Sequence, residues 1–144
     1  MLKKILLVFV ILFSFSYAVD KKEVDNQKVE KAFKQMVRAY KNKNLKAFIS
    51  HISENKFQGD FLDFVDSVEN DMRVNRVINV DVWIDKITTD GKKRFLYITW
   101  NKIHDSTKID GEIRTEGKSM FLFEKFKKRY KLINFEGDPF FSDR

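Results

Sequence analysis

Between Val29 and Tyr40 the apolar residues Val29, Ala32, Phe33, Met36, Val37 and Tyr40 recur in steps of three and four. That spacing puts them on one face of a helix. Lys28, Glu30, Lys31, Lys34, Gln35 and Lys41 fall largely on the other face. The pattern predicts a helix from about Lys22 to Lys41. Asn42-Lys43-Asn44 interrupts it, and Asn44 can cap a second helix by accepting a backbone N–H bond. Leu45, Phe48, Ile49 and Ile52 then give one short helix ending near Ser53. After a loop from Glu54 to Gly59, Asp60 is suited to cap a third helix, because its charge sits at the positive end of the helix dipole. Phe61, Phe64, Val65, Val68 and Met72 mark the stripe that this helix should bury.

Near Arg76 the period switches to two. Ile78, Val80, Val82 and Ile84 share one face of a strand; Asn79, Asp81, Trp83 and Asp85 share the other. Asp90-Gly91 is a hairpin signal. The strand from Arg94 to His104 is apolar on both sides, with Phe95, Tyr97 and Thr99 against Leu96, Ile98 and Trp100. Such a strand is covered twice, or one of its faces lines a cavity. The second face therefore calls for a protein partner, a homodimer contact or a ligand. Asp110-Gly111 predicts the next turn, and Glu112 to Phe126 a long strand in which Gly117 suggests a bulge or sharp bend. Lys127-Lys128-Arg129 reads as a turn, Tyr130 to Glu136 as the last strand, and Gly137-Asp138-Pro139 as its stop. The expected fold class is α+β, with N-terminal helices packed on a strongly curved antiparallel sheet.

The first residues change the picture of where such a domain works. Lys3 and Lys4 precede an unbroken apolar run from Ile5 to Phe13, and Ser16 and Ala18 occupy the −3 and −1 positions of a cleavage site. This is the order of a secretory signal peptide. The expectation is export to the periplasm or medium with cleavage after Ala18, leaving one domain from residue 19 to 144. The formal net charge is +7, and losing Lys3 and Lys4 leaves +5. Export turns that charge away from nucleic acid and towards anionic envelope surfaces, for which weak membrane contact is the expectation. The chain has no Cys and only two His. Thiol chemistry is excluded, a zinc site is not expected, and no cofactor motif is present.

Helices followed by a meander of antiparallel strands carry a family pattern. Phe33 to Tyr40, then Asn44-Leu45 and Phe48, supply its helical part. Trp100, Gly117-Lys118, Phe121-Leu122-Phe123, Tyr130-Lys131-Leu132 and Gly137-Asp138 supply its sheet. Over about Lys22 to Phe141 the chain resembles the nuclear transport factor 2-like superfamily, whose cone-shaped α+β fold encloses a pocket between sheet and helices. The same order is also compatible with a cystatin-like sheet carrying helices on one side.

The resemblance implies pocket walls drawn from Tyr40, Phe48, Phe64, Trp83, Tyr97, Trp100, Phe121 and Phe123. Tyr and Trp combine an apolar body with a polar tip, which suits a ligand cavity; the same rings also serve as core filling. Enzymes of the superfamily place an Asp or an Asp–His pair in the pocket, where burial raises a carboxylate for proton transfer. Asp63, Asp66, Asp81 and Asp85 are the carboxylates on the relevant elements, and His51 and His104 are the two imidazoles. Lys125, Lys127, Lys128, Arg129 and Lys131, interleaved with Phe126 and Tyr130, form the densest basic patch. The expected function is an exported, non-catalytic binding domain of the cell envelope that holds a small apolar ligand or a protein partner. The alternative is a small cofactor-independent lyase or isomerase using a pocket carboxylate.

Overall fold

The computed structural model describes residues 21–142 in full, and the backbone of residues 2–20 as part of its first helix. The expected signal peptide, residues 1–18, and its cleavage point fall outside the fully described residues. The element order is α1 (Leu2–Lys41), α2 (Leu45–Ile49), a 3-10 turn (Glu54–Lys56), α3 (Phe61–Val74), then β1 (Asn75–Asp90), β2 (Lys93–Ser106), β3 (Ile109–Phe126) and β4 (Arg129–Gly137). The strands form one open antiparallel sheet in the order β1-β2-β3-β4. The α+β architecture expected from the sequence is thus the one observed.

Local chemistry sets the helix boundaries. The Asn44 side chain accepts from the Ala47 N–H at 3.0 Å, and Asp60 accepts from the Asp63 N–H at 3.0 Å. The second helix stops at Ile49, short of Ser53, because the following backbone is used elsewhere. Leu132 donates to the His51 carbonyl at 2.8 Å, and Ser53 donates to the Leu132 carbonyl at 3.0 Å. Gln58 adds a bond to the Ile133 carbonyl at 2.7 Å. Residues 51–58 therefore cover the edge of β4, which would otherwise be open to pairing with another strand.

The sheet departs from strict alternation in ways that decide which side chains face the helices. In β1 the pairing with β2 shifts between Val77 and Asn79 and again between Ile84 and Lys86. Each extra residue resets the side-chain parity. Val77, Val80, Val82, Ile84 and Ile87 consequently pack against the core, whereas Ile78 is 41% exposed rather than sharing their face. The β2–β3 turn falls at Thr107-Lys108, earlier than Asp110-Gly111. The Ser106 hydroxyl stabilises it by accepting from the Lys108 N–H at 3.2 Å. The β3–β4 pairing shifts between Leu122 and Phe123, where Ile133 of β4 is the extra residue, and the β2–β3 pairing shifts at Asp110-Gly111; neither shift falls at Gly117. Gly117 answers a different need: a Cβ there would lie 2.5 Å from the Cβ of Asp138. Asp138 occupies that space to accept the Lys118 N–H at 2.7 Å. Gly137, at φ +96°, lets the chain turn out of the end of β4 into Asp138.

The core lies between the inner face of the sheet and the helices. α1 contributes Val29, Phe33, Met36 and Tyr40, and α3 contributes Phe64, Val68 and Met72. Leu96, Ile98, Trp100, Phe121, Phe123 and Leu132 face them from the strands. Val65, expected in the buried stripe of α3, is only half-buried, and Asp71 is buried there at 2% exposure.

Candidate functional site

The interior is the first place to look for a site. Of the eight aromatic positions, Tyr40, Phe48, Phe64, Trp100, Phe121 and Phe123 come together in the core. Trp83 does not join them. It pairs with Thr99, one step out of phase with Val82 and Trp100, and is 55% exposed on the other face. Tyr97 lies on that outer face as well, with the Lys86 ammonium 4.5 Å from its ring centre.

Two rings not anticipated for this region stand among the six. Phe140 and Phe141, from the segment after β4, are 2% and 3% exposed. Phe141 lies 4.8 Å from Phe48, 5.4 Å from Tyr40 and 5.6 Å from Phe121, all edge-on. Phe140 meets Trp100 at 5.2 Å and Phe141 at 4.7 Å in the same geometry. These are the separations at which aromatic pairs attract one another. The chain's own segment fills the middle of the aromatic interior.

A polar network is sealed behind those rings. The Tyr40 hydroxyl donates to Asp71 Oδ2, and Asn75 Nδ2 donates to Asp71 Oδ1 at 2.7 Å. Lys102 Nζ donates to the Tyr40 oxygen at 3.1 Å and to the Phe140 carbonyl at 3.0 Å. Tyr40, Asp71 and Lys102 are each 2% exposed. The network ties α1, α3, β2 and the Phe140 segment together. Both Asp71 oxygens are engaged, so the chemistry of this arrangement is that of a satisfied structural clamp. Its sequence signal was faint, since the partners stand 31 and 62 residues apart.

The carboxylates considered from sequence are elsewhere. Asp63 and Asp66 are exposed on α3. They border a cleft of about 860 Å³ that also involves Asp60, Phe57 and Phe135. Asp81 and Asp85 are exposed on β1, where Asp81 accepts from Asn79 at 3.1 Å and Asp85 from the Thr99 hydroxyl at 2.8 Å. His104 is buried on the inner face of β2, and His51 is half-buried beside β4.

The basic patch divides. Lys125 turns inward and meets Asp25 at 3.1 Å, joined by Arg94 at 3.5 Å. Asp25 is 5% exposed. Burial alone would raise its carboxyl, but the hydrogen bond and charge of Lys125, helped by Arg94, leave it below the usual value. Tyr130 beside this group is pushed up to about 12 by burial, Arg94 pulling it down and Asp25 raising it. Lys128, Arg129 and Lys131 stay outside and face Lys28 and Lys31 of α1 across a cleft of about 400 Å³. Ala32, Gln35, Ser50, His51 and Tyr130 complete its walls. The small Ala32 leaves room between the helix and the hairpin.

No protein-family model and no curated protein sequence matches the chain. Solved structures do. A nuclear transport factor 2-like superfamily protein from Salmonella enterica serovar Typhimurium superposes with a TM-score of 0.69 at 7% identity, covering 81% of this chain and 91% of that one. A conserved protein from Planctomyces limnophilus gives 0.68 at 9% identity, with 78% and 94% covered. A ketosteroid isomerase-like protein from Erwinia carotovora atroseptica gives 0.62 at 12% identity, with 77% and 92% covered. Likeness at such low identity speaks to the path of the backbone and not to chemistry. Helices packed on a curved, unclosed four-stranded antiparallel sheet, matched over about four-fifths of the chain by these structures, give this protein the nuclear transport factor 2-like fold.

Proposed function

We propose that the chain is an exported, non-catalytic binding domain of the cell envelope that engages its partner at the surface rather than in the interior of the cone. One observation carries this reading: Phe140 and Phe141 occupy the space among Tyr40, Phe48, Trp100 and Phe121 that a ligand would need. A small apolar ligand could enter that space only by displacing two rings, whose burial contributes about 1.5–3 kcal/mol each.

The enzymatic alternative draws on Asp71, a buried carboxylate bonded to a phenol. A general base needs an oxygen within reach of a substrate proton. Asp71 accepts from Tyr40 on one oxygen and from Asn75 on the other and is 2% exposed behind the aromatic rings, which weighs against the lyase or isomerase reading.

The test of the binding reading is a titration with an environment-sensitive apolar fluorophore, with the wild type compared with Phe141→Ala. The wild type should show no saturable binding, and the variant should gain it. Export is tested separately by N-terminal sequencing of the protein recovered outside the cytoplasm. The expected first residue is Val19; recovery with Met1 in a membrane fraction would establish an uncleaved anchor.

A further inference from the structure

We propose that the cleft between α1 and the β3–β4 hairpin is a binding site for a phosphate-bearing ligand. Five cations line it from two sides: Lys28 and Lys31 on the helix, and Lys128, Arg129 and Lys131 on the hairpin. No carboxylate is among the lining residues. Asp25 reaches Lys28 only at 4.0 Å, on an Oδ1 that Lys125 already holds at 3.1 Å, while its Oδ2 meets Arg94 at 3.5 Å. Among the described residues, Lys31, Lys128, Arg129 and Lys131 have no ion-pair partner, although the chain holds 21 acidic residues.

A solvated charged rim would account for cations on one element. It does not account for cations from two elements set face to face across a cavity, where each raises the electrostatic cost of the others. His51 registers that cost. It is half-buried in the wall, and burial together with Arg129 and Lys131 holds its imidazole below the ordinary value. The groups facing it are Lys28 and Lys31 on α1, Lys128 in the turn, and Arg129, Tyr130 and Lys131 on β4.

A tetrahedral phosphate anion fits this set, whether the dianion of a monoester or the monoanionic diester of a lipid headgroup. It can accept from several ammonium groups at once and from the planar fork of Arg129. Gln35 and a neutral His51 add uncharged donors from the remaining wall, whereas the Ser50 hydroxyl already donates to the Ala47 carbonyl at 2.6 Å. A cavity of about 400 Å³ holds more than a bare phosphate, so a phosphorylated polar body such as a glycerol phosphate is the size class. That chemistry comes from a phospholipid headgroup or from a free phosphorylated molecule. This inference is independent of whether the aromatic interior is closed.

The experiment uses the full chain and three probes: inorganic phosphate, soluble glycerol phosphate, and phosphatidylcholine vesicles with or without phosphatidylglycerol. The variant is Lys31→Gln/Arg129→Gln, with Lys108→Gln in the distant β2–β3 turn as control. In the wild type, phosphate should raise both the melting temperature and the His51 titration midpoint measured by NMR, well beyond chloride at equal ionic strength. The double variant should lose those shifts and bind at least about tenfold more weakly. It should also melt higher than the wild type at low salt, because two mutually repelling charges are gone. A variant that binds phosphate like the wild type, or a wild type that cannot tell phosphate from chloride, overturns the proposal. Binding to the phosphatidylglycerol vesicles identifies a headgroup source. Binding of glycerol phosphate without vesicle binding identifies a free ligand. Either outcome supports the site.

Discussion

Asp25 holds two cations, Lys125 at 3.1 Å and the buried Arg94 at 3.5 Å, within a largely dehydrated corner between α1 and the sheet. Asp25→Asn keeps the shape and removes the counter-charge, leaving Arg94 buried without compensation. Breaking a buried pair this way costs about 3–5 kcal/mol. The lower end is expected here because Lys125 keeps part of its side chain in water. Urea unfolding of the two proteins measures it. The pH dependence follows from the direction of the shift. The folded carboxyl lies below its unfolded value of 3.8. Its stabilisation is therefore complete above that value and is lost as pH falls through the folded value. The wild type should lose stability over that acid range faster than Asp25→Asn. A second residue-scale prediction concerns Gly117→Ala. The added methyl meets Asp138 at 2.5 Å, and overpacking of this kind costs about 1–3 kcal/mol. No loss in thermal unfolding would mean that the Asp138 bond to Lys118 is not fixed as described.

At the scale of elements, the segment after β4 seats Phe140 and Phe141 in the core. Phe141→Ala should cost about 3–5 kcal/mol, as truncation of a buried ring does; a loss below 1 kcal/mol would mean the segment is not seated in the core. This segment also shows what the sequence could and could not reveal. Gly137-Asp138-Pro139 reads as a stop, and it does end the strand. Nothing in the local pattern tells that the next two rings turn back into the interior. The helices were legible because their apolar steps repeat over several turns and because Asn44 and Asp60 are chemically explicit caps. The bulges at Ile78 and Asp85 were not legible, since a parity reset needs the partner strand to define it. Lys102 looks like a solvent-facing residue of an alternating strand until Tyr40 and the Phe140 carbonyl are brought to it. Six of the eight aromatic positions gathered in the core, and Trp83 and Tyr97 lay on the other face, because register and not composition assigns a face.

For the whole molecule, charge is distributed unevenly. Asp60, Asp63 and Asp66 border one cleft, while five cations line another. The basic one makes stability depend on pH through His51. Its folded imidazole sits below the unfolded value of 6.5. As pH falls below about 6.5, the unfolded chain takes up the proton first, and stability drops until the folded value is passed. His51→Gln should flatten that part of the curve, which a series of thermal melts between pH 5 and about 7.5 would display. The central claim is that the interior is closed by the chain itself and that recognition happens outside it. The most direct measurement is the apolar-fluorophore titration of the wild type beside Phe141→Ala. The account predicts no saturable binding to the wild type and stoichiometric binding to the variant. Saturable, stoichiometric binding by the wild type, reduced by Trp100→Ala, would contradict it and return the site to the aromatic interior.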